Sequence, residues 1–105
     1  MHNKFLNLMV KGYKLYFTAH CINEPLHIHA SDKQLTETGS LKLWMDMHGN
    51  TIIAHQLHNI PDHIVTRIRR TVKLNRILII EKWESYTGKK NDFHTKIFLE
   101  IEVKR

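Results

Sequence analysis

The sequence predicts an α+β fold: an antiparallel β-sheet, a meander with an opening hairpin and a long closing strand, packed against one long or kinked helix. Three observations predict it. Short runs in the first half of the chain alternate apolar and polar residues, the period of a half-buried strand. From Pro61 the period becomes helical, with Ile64, Ile68 and Val72 recurring every fourth residue. From Phe93 to Val103 strict alternation returns and predicts the closing strand.

Phe5–Val10 and Tyr13–His20 read as the hairpin, closed by Lys11-Gly12. A two-residue loop pairs Val10 with Tyr13, Leu8 with Leu15 and Leu6 with Phe17, all apolar and on one face. Lysine is disfavoured at positive φ, so a longer turn with Gly12 left-handed is the alternative. Pro25 biases Glu24 toward an extended conformation, and Leu26–Ala30 follows as a third strand. Ser31–Gly39 is polar and loop-like. Leu41, Leu43 and Met45 alternate with Ser40, Lys42, Trp44 and Asp46 in a fourth strand. His48-Gly49-Asn50 signals a turn, and Thr51–His55 folds back as a fifth.

Pro61 marks a helix start, with Asn59 or Ile60 near the cap. The stripe Ile64, Ile68 and Val72 continues after Asn75 as Ile79, Trp83 and Tyr86. Asparagine is a good N-cap, so a kink or break is expected near Leu74-Asn75. Gly88 ends the helical part. Ile77–Ile80 is apolar almost all round, which calls for deep burial or a protein contact.

The 105 residues suit one domain, 1–105, with a modest core. No apolar run approaches a membrane span, and Met1–Phe5 lacks the pattern of a signal peptide. The single cysteine, Cys21, excludes an internal disulfide, so a cytoplasmic setting is the expectation. The formal net charge of +6, with nine histidines besides, favours an acidic partner such as RNA or DNA.

The densest motif is Glu24-Pro25-Leu26-His27-Ile28-His29. On a strand, His27 and His29 share one face, while Leu26, Ile28 and Ala30 turn to the core. With this Glu-Pro-x-His-x-His pattern, the turn at His48–Asn50, the helix start at Ile60-Pro61 and the tryptophan at Trp83, the chain resembles a bacterial family, domain of unknown function 4160. The likeness spans about residues 5–86, and Leu26 replaces a second proline of the family motif. It implies that the closing strand, 93–103, extends the usual domain. That family resembles nothing of established activity, so the likeness implies no mechanism.

Two imidazoles on one strand face offer two ligands to a divalent metal, the one cofactor this pattern accommodates, against the plainer role of a polar, hydrogen-bonded strand face. Glu24 is the third candidate, with His20, Asp46, His55 and His58 as further ones. The same pair, His27 and His29, are also candidate catalytic residues for acid–base cleavage of RNA, with Lys42 or Arg69 holding the phosphate. The helix carries Arg69, Lys73 and Arg76 at i, i+4 and i+7, a face able to track a phosphate backbone or simply to face solvent. Cys21 beside His20 points to the opposite side of a strand, which disfavours a Cys–His nucleophile. The leading expectation is a non-catalytic binding module for nucleic acid or a partner protein, in a toxin–antitoxin-like setting. The alternatives are a small metal-dependent or histidine-based phosphodiester hydrolase using His27 and His29, and an oligomeric structural protein. The apolar run Ile77–Ile80 tilts the assembly expectation toward a homodimer.

Overall fold

Among the described residues, five strands form one antiparallel sheet whose spatial order is the order of the chain. They are β1 (Phe5–Val10), β2 (Tyr13–Tyr16), β3 (His27–Ser31), β4 (Leu41–Met45) and β5 (Thr51–His55). Two helices follow, α1 (Asp62–Leu74) and α2 (Arg76–Thr87). This computed structural model describes residues 5–18, 25–32, 40–55 and 60–88. The expected closing strand, Phe93–Val103, lies outside the described residues, as do His20, Cys21, Glu24 and His58.

The opening hairpin closes on a two-residue turn with both central residues left-handed, Lys11 at φ 49° and Gly12 at φ 86°. That is the turn whose twist matches the flanking strands, so the shorter of the two expected loops is the one that forms. Val10 pairs with Tyr13 as the pattern requires. The expected Leu6–Phe17 pair does not form, because Phe5 pairs with Tyr16 instead. Between Phe5 and Met9 the register shifts, and Asn7 sits there at φ 57°. Asparagine tolerates the left-handed region better than most residues, so an irregularity at this point carries little strain. β2 also ends at Tyr16, before the expected His20.

The remaining registers follow the alternation. Tyr16 lies opposite His29, and Ile28 opposite Leu43. One face of the sheet therefore carries Leu15, Ile28, Ala30, Leu41, Leu43 and Met45, all buried in a core shared with the helices. From α1 this core takes Ile64, Val65, Ile68 and Val72, and from α2 it takes Ile79 and Trp83. The sequence stripe thus marks the buried helix side, with Val65 added.

Pro61 stands at the N-cap of α1 in an extended conformation, φ −60° and ψ 145°, and its carbonyl accepts from the amides of Ile64 and Val65. The helical part is interrupted at Asn75, φ −109° and ψ 22°, and backbone bonds through that residue join the two helices. Asn75 N donates to Thr71 O, and Ile79 N donates to Asn75 O. The asparagine side chain does not cap α2. Its Nδ2 donates backward to Thr71 O at 2.8 Å, tying the junction to the preceding turn. Gly88 ends α2 in the left-handed conformation at φ 70°. No helix among the described residues is long and apolar enough to cross a membrane.

Lys11 holds a left-handed conformation that costs an ordinary residue about 1–2 kcal/mol with no glycine to relieve it. Lys11→Asn is expected to stabilise the hairpin by about 0.5–1 kcal/mol, read as a rise of several degrees in thermal midpoint. An unchanged or lower midpoint contradicts the two-residue turn.

Candidate functional site

Strand alternation puts His27 and His29 on one face of β3, and their ring centroids are 5.0 Å apart at 81°. This side-by-side placement is the one expected from the motif. Their environment is not solvent: both residues are 0% exposed. All five residues of β3 are buried, so this strand is covered on both faces.

The cover on the histidine side is aromatic and polar. His27 lies edge-on to Trp44 at 5.2 Å and 6.0 Å from the ring of Trp83 on α2. Trp83 also meets Phe17 edge-on at 5.4 Å, so one indole lies against both the core and His27. His29 stacks on Tyr16 at 5.5 Å, and His55 lies 6.4 Å away. Lys42 is cross-strand from His29, 7% exposed, with Nζ 4.5 Å from the centroid of the Trp44 ring. A cation over an indole face is attracted by the ring quadrupole, which helps a lysine tolerate this depth.

Hydrogen bonds orient both imidazoles. His27 Nδ1 is 2.7 Å from Pro25 O. A carbonyl only accepts, so Nδ1 carries a proton and donates. His29 Nδ1 is 2.8 Å from Ser40 Oγ. A carbonyl-anchored imidazole is the form in which histidine meets metals. Among the described residues, however, no group of three or more His, Cys, Asp or Glu side chains is placed to hold an ion. Asp46 is occupied elsewhere, accepting from His48 N and Asn50 N at 2.9 Å and from Asn50 Nδ2 at 3.1 Å. Those bonds shape the β4–β5 turn.

The same turn organises the second candidate site. Gly49 is at φ 83°, and a Cβ on it would stand 2.9 Å from Lys73 Cα and 3.1 Å from Arg76 Cβ. The helix backbone therefore rests directly on the turn. Arg69 reaches across, donating Nε to Thr51 Oγ1 at 2.8 Å and a terminal nitrogen to Thr51 O at 2.9 Å. Lys73 Nζ donates to Asn50 Oδ1 at 3.2 Å, and Arg76 donates back to Lys73 O at 3.1 Å. Arg69, Lys73 and Arg76 do share a side of the helical part, and that side meets the turn while remaining exposed. A groove of about 300 Å³ opens there, lined by Gly49, Asn50, Thr51, Thr66, Arg69, Arg70 and Lys73. Arg70 and Thr66 join the residues expected from the sequence. Their spacing to Arg69 and Lys73 is helical, so periodicity alone was enough to group them.

Compared with protein-family models, curated proteins and solved structures, the chain gives no match.

Two substitutions test this geometry. Gly49→Ala is expected to cost about 2 kcal/mol or more, from strained backbone plus overlap with Lys73. Gly12→Ala, with open space around it, should cost only the conformational term of about 1 kcal/mol. Equal losses in chemical denaturation contradict the close approach of α1. For the histidine cluster, Ser40→Ala removes the partner of His29 Nδ1 inside a buried site and should destabilise by about 1–3 kcal/mol. A neutral outcome means that this bond contributes nothing net.

Proposed function

We propose that this protein is a non-catalytic nucleic-acid-binding module that grips the phosphate backbone through Arg69, Arg70, Lys73 and Arg76. One observation carries the reading. Arg69, Arg70 and Lys73 line one groove, Arg76 lies against Gly49 of the same turn, all four are exposed, and among the described residues no carboxylate ion-pairs with them. A solvated helix face that serves no ligand usually mixes both charge signs. Here the exposed side chains from Thr66 to Arg76 include no acid. The Arg69–Thr51 bonds hold one guanidinium in place before a ligand arrives, which lowers the ordering cost of binding. Thr66 and Asn50 add polar groups of the kind that commonly meet phosphate oxygens. The net charge of +6 supplies long-range attraction.

The lining includes no aromatic ring among the described residues, so the proposed contact is to the backbone and is indifferent to base sequence. The likeness to domain of unknown function 4160 is retained in this proposal, with the motif residues His27 and His29 in a structural role. The histidine-based hydrolase remains a second reading, supported by the 5.0 Å ring separation and by Lys42 across from His29. Burial weighs against it, because acid–base groups must reach the proton they transfer.

Fluorescence anisotropy with a labelled random-sequence duplex, measured over a range of salt, tests the proposal. Binding at low salt should weaken as salt rises. Replacing Arg70, Lys73 and Arg76 by glutamine should reduce the log–log slope by up to ~0.9 for each duplex phosphate that the variant leaves unneutralised. Arg69 is left intact in that variant because it braces Thr51. Absence of binding at low salt, or an unchanged slope in the variant, overturns the reading. Cleavage of an RNA probe that disappears in His27→Gln would favour the hydrolase instead.

A further inference from the structure

The side of α1 and α2 that faces away from the core carries an ordered series of side chains. Along it lie Arg67 and Arg70, then Leu74, Ile77 and Leu78, then Glu81. Their spacing follows the helical repeat, so they form one stripe. Its centre is apolar and open: Leu74 is 75% exposed, Ile77 59% and Leu78 38%. Ile79 between them is fully buried. The run Ile77–Ile80 therefore does not sink into the core as a whole. It divides, with Ile79 inward and Ile77 and Leu78 outward. Asn75 N donates to Thr71 O and Asn75 O accepts from Ile79 N, which ties the two halves of the stripe together across the break.

The stripe is also polarised. Its N-terminal end is basic, its middle is apolar, and an acidic residue, Glu81, follows. A sequence with this order is complementary to itself when reversed. We propose that the α1–α2 stripe is the interface of a homodimer in which two copies pack antiparallel about a two-fold axis near Asn75–Arg76. The register that sets Leu74 against Ile77 of the partner subunit has a second consequence. It sets Arg70 against Glu81 of the partner subunit, and the two-fold repeats both pairs. One alignment thus satisfies the apolar contacts and the charges together. A parallel packing would place basic ends against each other, which is unfavourable. An exposed leucine and isoleucine on neighbouring turns is costly in water, and burial in a second copy relieves that cost. Of the residues that line the groove only Arg70 enters this contact, so in the dimer the phosphate grip falls to Arg69, Lys73 and Arg76.

Sedimentation equilibrium of the full chain at several concentrations tests the interface. The expected result is a reversible monomer–dimer equilibrium. Leu74→Gln with Ile77→Gln should leave a monomer with unchanged circular dichroism, since both side chains are exposed. Arg70→Glu should weaken the dimer about tenfold, because symmetry counts each altered pair twice. Glu81→Arg should do the same, and the double variant R70E/E81R should recover the affinity by exchanging the charges. A chain that is monomeric at every concentration overturns the proposal. So does a dimer that ignores the glutamine substitutions, or a double variant that is weaker than either single one.

Discussion

The approach of α1 to the β4–β5 turn is the constraint on which the candidate site depends. Gly49 makes it achievable, since any side chain there would overlap Lys73 of the helix. Once the backbones are this close, Arg69 can reach both the hydroxyl and the carbonyl of Thr51. Lys73 can reach Asn50 for the same reason. A turn built by Asp46 thus seats a helix, and the seated helix gathers basic side chains around one groove. The hydrophobic core on the other side of α1 holds the helix down, through Ile64, Val65, Ile68 and Val72. Packing and electrostatics are coupled here: apolar burial supplies the attraction, and it is used in part to keep positive charges near one another.

The histidine pair has a different character. A polar face would ordinarily be left to water in an antiparallel sheet, yet His27 and His29 are buried to the same extent as the aliphatic core. Burying such groups is tolerable only when their nitrogens are hydrogen-bonded. The contacts to Pro25 and Ser40 serve this need at the two Nδ1 atoms, and the rings of Tyr16, Trp44 and Trp83 lie around the pair. Such a face demands particular partners at particular angles, so it specifies how β2, β3 and β4 align more narrowly than an aliphatic face would. In that light the Glu-Pro-x-His-x-His motif reads as architecture. Pro25 supplies the carbonyl that orients the first histidine, and the alternating Ile28 supplies the opposite, apolar side.

The helices present two surfaces of different chemistry. Toward the turn the side chains are basic and bonded to the sheet. Away from the core they are apolar in the centre and of opposite charge toward the ends. The bend at Asn75 lies where these regions meet, and its side chain is bonded to Thr71 rather than turned to solvent. A helix junction stabilised from within therefore presents two surfaces of different chemistry.

The sequence by itself determined the elements. Period-two alternation marked β3 and β4, β-prone residues after a turn marked β5, the four-residue stripe marked the buried side of α1, and glycines marked the turns and the helix end. These are local consequences of backbone geometry, so each is visible within a short window. The shared face of His27 and His29 was legible for the same reason. Three things were decided only by the tertiary structure. The register of β1 shifts between Phe5 and Met9, where Asn7 is left-handed, and the alternation of the strand does not mark that position. The histidines are buried because chain distant in sequence covers a face that alternation alone would assign to water. Arg69 meets Thr51 across eighteen positions because Gly49 lets two backbones touch, and no local pattern encodes that distance.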